Sequence, residues 1–173
     1  NYNTKECKVK VTVNQKEIGL TWSNTELTYN GKEQTPNASA TGLVSGDEGK
    51  VNVAVTGGQT NAGTEAYTAT ASELTGDKAG NYKLPAEKTS QFTISPKSIT
   101  EAAVTLDKTE LTYTGSEQSV SVTDVSLDGE SLTTGDYTVS GNTGTNKNNY
   151  TVTVTGTGNY KDEATAGWKI VGK

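Results

Sequence analysis

The sequence has no histidine, no arginine and no methionine, and only one cysteine, one phenylalanine and three prolines in 173 residues. Without histidine there is no Ser-His-Asp or Cys-His nucleophile system and no imidazole ligand for a metal. All 15 cationic residues are lysine, so no planar fork exists for bidentate capture of phosphate or carboxylate. The single Cys7 excludes an internal disulfide, and stability must come from packed cores or from repetition. A formal net charge of −5 argues against nucleic acid or an anionic membrane as partner. No apolar run approaches the length of a membrane span, so no membrane insertion is expected, and residues 1–4 lack the apolar core of a signal peptide.

Hydrophobic residues make up 31% of the chain, well under the usual share of about half. That shortfall would suit disorder, but two features oppose it. Threonine fills 31 positions and glycine 19, a composition for strands and turns. The apolar residues are mostly Val, Leu, Ile and Tyr in alternating runs, the signature of half-buried strands. The expected fold class is all-β.

An internal repeat supports this reading. Thr21–Gln34 matches Thr105–Gln118 at an offset of 84, with nine of fourteen positions identical, among them Glu26-Leu27-Thr28-Tyr29 and Glu110-Leu111-Thr112-Tyr113. The match continues through Tyr67 on Tyr150, Gly80-Asn81-Tyr82 on Gly158-Asn159-Tyr160, and Phe92 on Trp168. A partial third copy lays Asn1-Tyr2 on Asn81-Tyr82 and Val13–Ile18 on Ile94–Ile99. The expected organisation is repeat 1 over residues 16–97 and repeat 2 over 98–173. Residues 1–15 are either the closing strand of a preceding repeat or the first strand of repeat 1. Val9, Val11 and Val13 alternate there with Lys8, Lys10 and Thr12, which predicts a strand with one apolar face that should not sit unpaired.

Strand signals recur at short intervals: 26–29, 34–43, 50–56, 65–72, 81–84 and 91–94, then 102–106, 110–113, 119–127, 135–140, 149–155 and 167–171. Turn pairs such as Asn30-Gly31, Asp128-Gly129 and Gly141-Asn142 separate them. Many short strands at even spacing predict two tandem, small, antiparallel β-sandwich repeats. A β-grasp-like unit is the alternative. Tyr29, Tyr67, Tyr82 and Phe92 and their counterparts Tyr113, Tyr150, Tyr160 and Trp168 recur in register, as core anchors should. Trp22 faces Leu106 in the alignment; it is the one candidate ligand-binding residue.

The order Leu111-Thr112-Tyr113-Thr114-Gly115, Gly135-Asp136-Tyr137, Gly156-Thr157-Gly158-Asn159-Tyr160 and Trp168-Lys169-Ile170 resembles the bacterial Ig-like repeats of Gram-positive, especially clostridial, surface proteins. The first copy, with Tyr29-Asn30-Gly31-Lys32, Asn61-Ala62-Gly63 and Phe92-Thr93-Ile94, is similar to the "mostly-β, glycine-rich" repeats of bacterial adhesins. The second copy departs from the pattern, with Thr145–Asn149 in place of Asn-Ala-Gly. The resemblance implies Ig-like folding and an extracellular location, at the bacterial cell surface or in the cell wall, and it carries over no catalytic residues.

The carboxylate clusters Asp47-Glu48, Asp124…Asp128…Glu130 and Asp162-Glu163 fit no EF-hand spacing and differ between the copies, so they read as solvated turns. No enzyme activity, cofactor or metal site is expected. The leading expectation is a non-catalytic spacer or stalk module whose partners are neighbouring repeats of the same polypeptide, the chain being a monomer. The second is an adhesive module binding host glycan or protein, with Trp22 and the long region 70–88 as its candidate contacts.

Overall fold

A computed structural model describes residues 6–172, and in it the protein is an all-β, sandwich-type fold of several sheets. The match of Asn1-Tyr2 to Asn81-Tyr82 lies outside the described residues. The first repeat supplies β1 (Lys16–Glu17), β2 (Gly19–Ser23), β3 (Glu26–Thr28), β4 (Asn37–Thr41), β5 (Asn52–Thr56), β6 (Tyr67–Thr75), β7 (Tyr82–Lys83) and β8 (Thr89–Ser95), with a 3-10 turn over Ala79–Asn81. There follow β9 (Lys97–Ser98), β10 (Ala103–Leu106), β11 (Glu110–Thr112), β12 (Gln118–Ser119), β13 (Val122–Leu127) and β14 (Glu130–Ser131). The chain ends on β15 (Tyr137–Ser140), β16 (Thr143–Gly144), β17 (Asn148–Gly156), β18 (Tyr160–Lys161) and β19 (Glu163–Val171).

The sequence repeat is a repeat of strand pairing. Antiparallel β2·β4 sets Leu20 opposite Ala40, as β10·β13 sets Val104 opposite Val125. Antiparallel β5·β6 recurs as β15·β17. Parallel β3·β8 aligns Leu27 with Ile94, as β11·β19 aligns Leu111 with Ile170. Parallel β1·β7 aligns Lys16 with Tyr82, as β9·β18 aligns Lys97 with Tyr160. The single bridge Gln34↔Gln59 returns as β12·β16, where Gln118 meets Gly144.

The parallel pairs are the main departure from the antiparallel pattern expected of short strands. After β10 the chain turns through Asp107–Thr109 and enters the other sheet as β11, beside the closing strand β19. A long connection separates β11 from β19, which parallel pairing requires and a tight hairpin cannot supply.

By contact the chain divides into two compact units that interleave along the sequence. One holds residues up to Thr25 with Thr35–Gly58 and Thr68–Gln91; the other holds Glu26–Gln34, Gln59–Tyr67 and Phe92 onward. Three stretches of the first repeat therefore belong with the second.

The second unit has the larger core. Its sheets β10-β13-β14 and β11-β19-β17-β15 meet over Ile99, Val120, Val125, Leu127, Val152, Val154, Ala164, Trp168 and Ile170. Alternation decides who enters: in β17 Val152 and Val154 are buried while Thr151 is exposed, and in β19 Trp168 and Ile170 are buried while Gly167 and Lys169 are not. Each such Val or Ile stabilises by roughly 1.5–3 kcal/mol on burial. The first unit buries Ile18, Val51 and Tyr82, with Leu20, Ala40, Leu43, Val53, Leu74 and Leu84 packed around them.

Two glycines 84 positions apart close the same corner. Gly57 (φ 93°) and Gly141 (φ 72°) follow β5 and β15, and a Cβ on either would collide with a backbone carbonyl, of Thr68 and of Thr151 respectively. Glycine is demanded there twice over, by the left-handed backbone and by the close approach.

The alternating segment Lys8–Val13 forms no strand. Val9, Val11 and Val13 stand 78%, 79% and 90% exposed. Alternation prepares one apolar face, but a strand exists only when its N–H and C=O groups are paired.

Candidate functional site

The carboxylates singled out in the sequence are dispersed, and Asp47, Glu48, Asp128 and Glu163 each hold a partner through the side chain. Asp47 Oδ2 accepts the Tyr82 hydroxyl at 2.7 Å, and that hydroxyl oxygen accepts the Val44 N–H at 3.0 Å. Burial pushes the Tyr82 phenol above its ordinary value, with the nearby Asp47 and Glu48 charges adding to the rise and the Val44 bond opposing it. Glu48 Oε2 accepts the Gly46 N–H at 2.7 Å. Asp128, in a left-handed turn, holds the Lys97 ammonium at 2.6 Å. Asp124 lies opposite Thr105 in the β10·β13 ladder, and Glu130 opposite Leu127 in the β13·β14 hairpin. Glu163 accepts the Thr155 hydroxyl at 3.3 Å, and Asp162 occupies a second left-handed turn at φ 68°. Among the described residues no three of His, Cys, Asp and Glu converge as metal ligands would, and no charged side chain is buried. Asp47 and Glu48 fasten the turn that precedes β5.

The recurrent aromatics are anchors. Trp168 is buried, stacks on Tyr150 with ring centroids 4.6 Å apart, and donates its indole N–H to the Gly141 carbonyl at 3.0 Å. Phe92 is buried against Tyr67 at 5.6 Å. Each of these tyrosines folds back onto the preceding loop. Tyr67 donates its hydroxyl to the Asn61 carbonyl at 3.0 Å, and Tyr150 to the Asn146 carbonyl at 2.7 Å. The loop that lacks Asn-Ala-Gly thus keeps the same latch, built from a different sequence. The legible signal was the glycine under each ring: a Cβ at Gly63 would meet Tyr67, and one at Gly144 would meet Tyr150.

Trp22 lies on β2 opposite Ala38, on the same face as Leu20, and is half-buried. Its counterpart Leu106 packs against the core of the second unit. The first unit's cleft of about 450 Å³ is lined by Val13, Lys16, Val44, Asp47, Asn81 and Tyr82.

The most connected polar cluster was not anticipated from the sequence. In the second unit the Asn159 side chain accepts the Ala62 backbone N–H at 2.8 Å and donates to Asn61 Oδ1 at 3.1 Å, while its backbone carbonyl accepts the Lys97 N–H at 2.9 Å. One residue on, the Tyr160 ring meets the Tyr29 ring edge-on at 5.4 Å. Burial raises the Tyr160 phenol above its ordinary value; Tyr29 and Asp136 add to the rise, and Lys97 opposes it. A groove of about 210 Å³ remains between Tyr29, Gly31, Lys97, Asp128, Leu132 and Tyr160. The hint was the recurrence of Gly-Asn-Tyr at 80–82 and 158–160, in which Asn is a side chain able to donate and accept at once.

The arrangement is one of turns tied to strands. The Tyr82 hydroxyl, the Asn159 amide and the Trp168 indole are each bonded to the backbone of a neighbouring loop. No protein family, curated protein or solved structure matches the chain. Among the described residues no helix is long and apolar enough to cross a membrane.

Proposed function

We propose that the chain is a non-catalytic spacer module, two tandem Ig-like repeats of the bacterial Ig-like or mostly-β, glycine-rich kind, in an extracellular bacterial surface or wall protein. The observation that carries this reading is the recurrence of the same strand pairings in both sequence repeats, down to the two-residue parallel pairs β1·β7 and β9·β18. A pairing pattern copied in series is how chains build reach from one solved packing problem. Asp47 and Glu48 holding their turn, and Tyr67, Tyr150 and Asn159 tying loops to strands, serve the same end. Its partners in this reading are neighbouring repeats of the same polypeptide.

The test is made in the parent protein on the cell. Deleting both repeats should leave the activity of the remaining domains unchanged in solution and lower it on intact cells, where reach matters. Loss of that activity in solution would overturn the spacer reading.

A second reading, adhesion to host glycan or protein, is favoured by Trp22 alone. A half-buried Trp where the sister repeat packs a leucine is the sort of large, partly apolar side chain that anchors contacts. A glycan-array and mucin screen on the chain separates the two: saturable binding lost in Trp22→Ala selects adhesion, and no binding selects the spacer.

A further inference from the structure

Val9, Val11 and Val13 of the segment Glu6–Val13 are the most exposed large hydrophobic side chains among the described residues, and no strand pairs with the segment. Three observations say what belongs against it.

The first concerns β1, into which the segment leads. Lys16 and Glu17 pair in parallel with Tyr82 and Lys83, and the Ile18 N–H donates to the Lys83 carbonyl at 3.1 Å. Lys97 and Ser98 pair in parallel with Tyr160 and Lys161, and the Ile99 N–H donates to the Lys161 carbonyl at 3.0 Å. Ile18 and Ile99 are both buried. The two sites are built alike, 81 residues apart.

The second concerns the strand on the N-terminal side of each pair. Before β9 stands β8, a closing strand whose Phe92 and Ile94 are 1% and 0% exposed. Carried back by 81, these positions fall on Val11 and Val13, which are 79% and 90% exposed. The outward positions correspond as well, Gln91 to Lys10 and Thr93 to Thr12. A one-residue slip would place the lysines inward, so the register is specified.

The third is the neighbouring cleft. Beside Lys97 and Tyr160, the second unit seats the Tyr29-Asn30-Gly31 turn of the preceding sequence repeat. Beside Lys16 and Tyr82, the first unit presents its cleft of about 450 Å³.

We propose that Glu6–Val13 is the closing strand of a further, upstream copy of this repeat, burying Val11 and Val13 as β8 buries Phe92 and Ile94. The upstream copy ends its sandwich with this strand, and the same strand leads without a break into β1. Each repeat is then joined to the next by a shared, continuous strand-to-strand passage. The inference rests on the repeat geometry and stands whether the module is a spacer or an adhesin.

The test is a fusion in which residues 16–87 are placed directly before residues 7–172, so that Cys7–Val13 takes the place of residues 88–94 in the added copy. Amide hydrogen exchange of Val9, Val11 and Val13 is compared with that in the unextended chain. The expected result is protection increased by about 100-fold or more in the fusion, with these amides exchanging freely in the unextended chain. Val11→Asp should unfold the added copy in the fusion and leave the melting of the unextended chain unchanged. A control fusion carries residues 88–94 in place of 7–13. An unfolded added copy beside a folded control overturns the proposal, as does failure of both fusions, since the repeats would not then join through this strand. Protection of Val9–Val13 in the unextended chain through self-association also overturns it, because a second copy of the chain would be the true partner.

Discussion

Asn159 holds the Asn61–Ala62 turn with both ends of its carboxamide, its oxygen on the Ala62 N–H and its nitrogen on the Asn61 side chain, 97 and 98 residues away. An amide that donates and accepts at once cannot be replaced by a group doing only one. Asn159→Ala should cost the second unit about 1–2 kcal/mol, since a part-buried N–H loses its partner. Asn61→Ala removes a single exposed bond and should cost less. Chemical denaturation of both variants, with the exchange rate of the Ala62 amide, checks the order; equal effects would mean the Ala62 bond contributes nothing.

Gly141 combines a left-handed backbone with contact against the Thr151 carbonyl, and its own carbonyl receives the Trp168 indole. Gly141→Ala should destabilise the second unit by at least about 2 kcal/mol through strain and displacement of the strand. Gly115 is also left-handed (φ 84°) but faces open space. Gly115→Ala should cost about 1 kcal/mol, the backbone contribution alone. Thermal melts of the two variants measure the difference.

The Tyr82 phenol is raised above its ordinary value chiefly by burial. A raised folded-state value favours the neutral form. Its contribution to stability is therefore complete below the unfolded value of about 10 and is lost as pH rises through the folded value. Denaturation midpoints should fall in alkali, and Tyr82→Phe should remove part of that fall while lowering stability at neutral pH by deleting the bonds to Asp47 and Val44. An alkaline fall identical in the variant would assign the effect to other groups.

Every buried member of the larger core lies between Ile99 and Ile170, and β9, which begins at Lys97, pairs with β18 within residues 97–173. The fragment 97–173 should therefore fold alone, less stably than in the full chain because Tyr29, Asn61 and Ala62 no longer meet Tyr160 and Asn159. A cooperative melt and a near-ultraviolet circular dichroism signal from the stacked Tyr150–Trp168 pair are the expected readouts. A fragment without either would show that the first repeat's segments are indispensable to this core.

Much of this architecture was legible along the chain. The alternation Tyr150–Val154 predicts one wet and one dry face, and β17 has both. The match of Thr21–Gln34 to Thr105–Gln118 predicts a repeated unit, and the pairings repeat. The alternation Lys8–Val13 is equally clean and forms no strand, because the signal reports a prepared face and not the presence of a partner. Of the candidate site, Trp22 was visible only as a large side chain without a matching one in the sister repeat. The Asn159 clamp was only hinted at by the recurrence of Gly-Asn-Tyr at 80–82 and 158–160, since nothing local marks which asparagine meets Ala62.

By itself the sequence determined the all-β class, the longer strands, many of the turns and the fact of repetition, because residue periodicity, β-branching and glycine's access to positive φ act over a few neighbouring residues. It also removed imidazole and guanidinium chemistry outright. Only the tertiary structure decided that β11 lies parallel to β19, that residues 26–34 and 59–67 pack with the second unit, and that Asn159 grips Asn61. Those choices are contacts between residues far apart in the chain, settled by which faces and carbonyls meet once the strands are packed, and no local pattern encodes them.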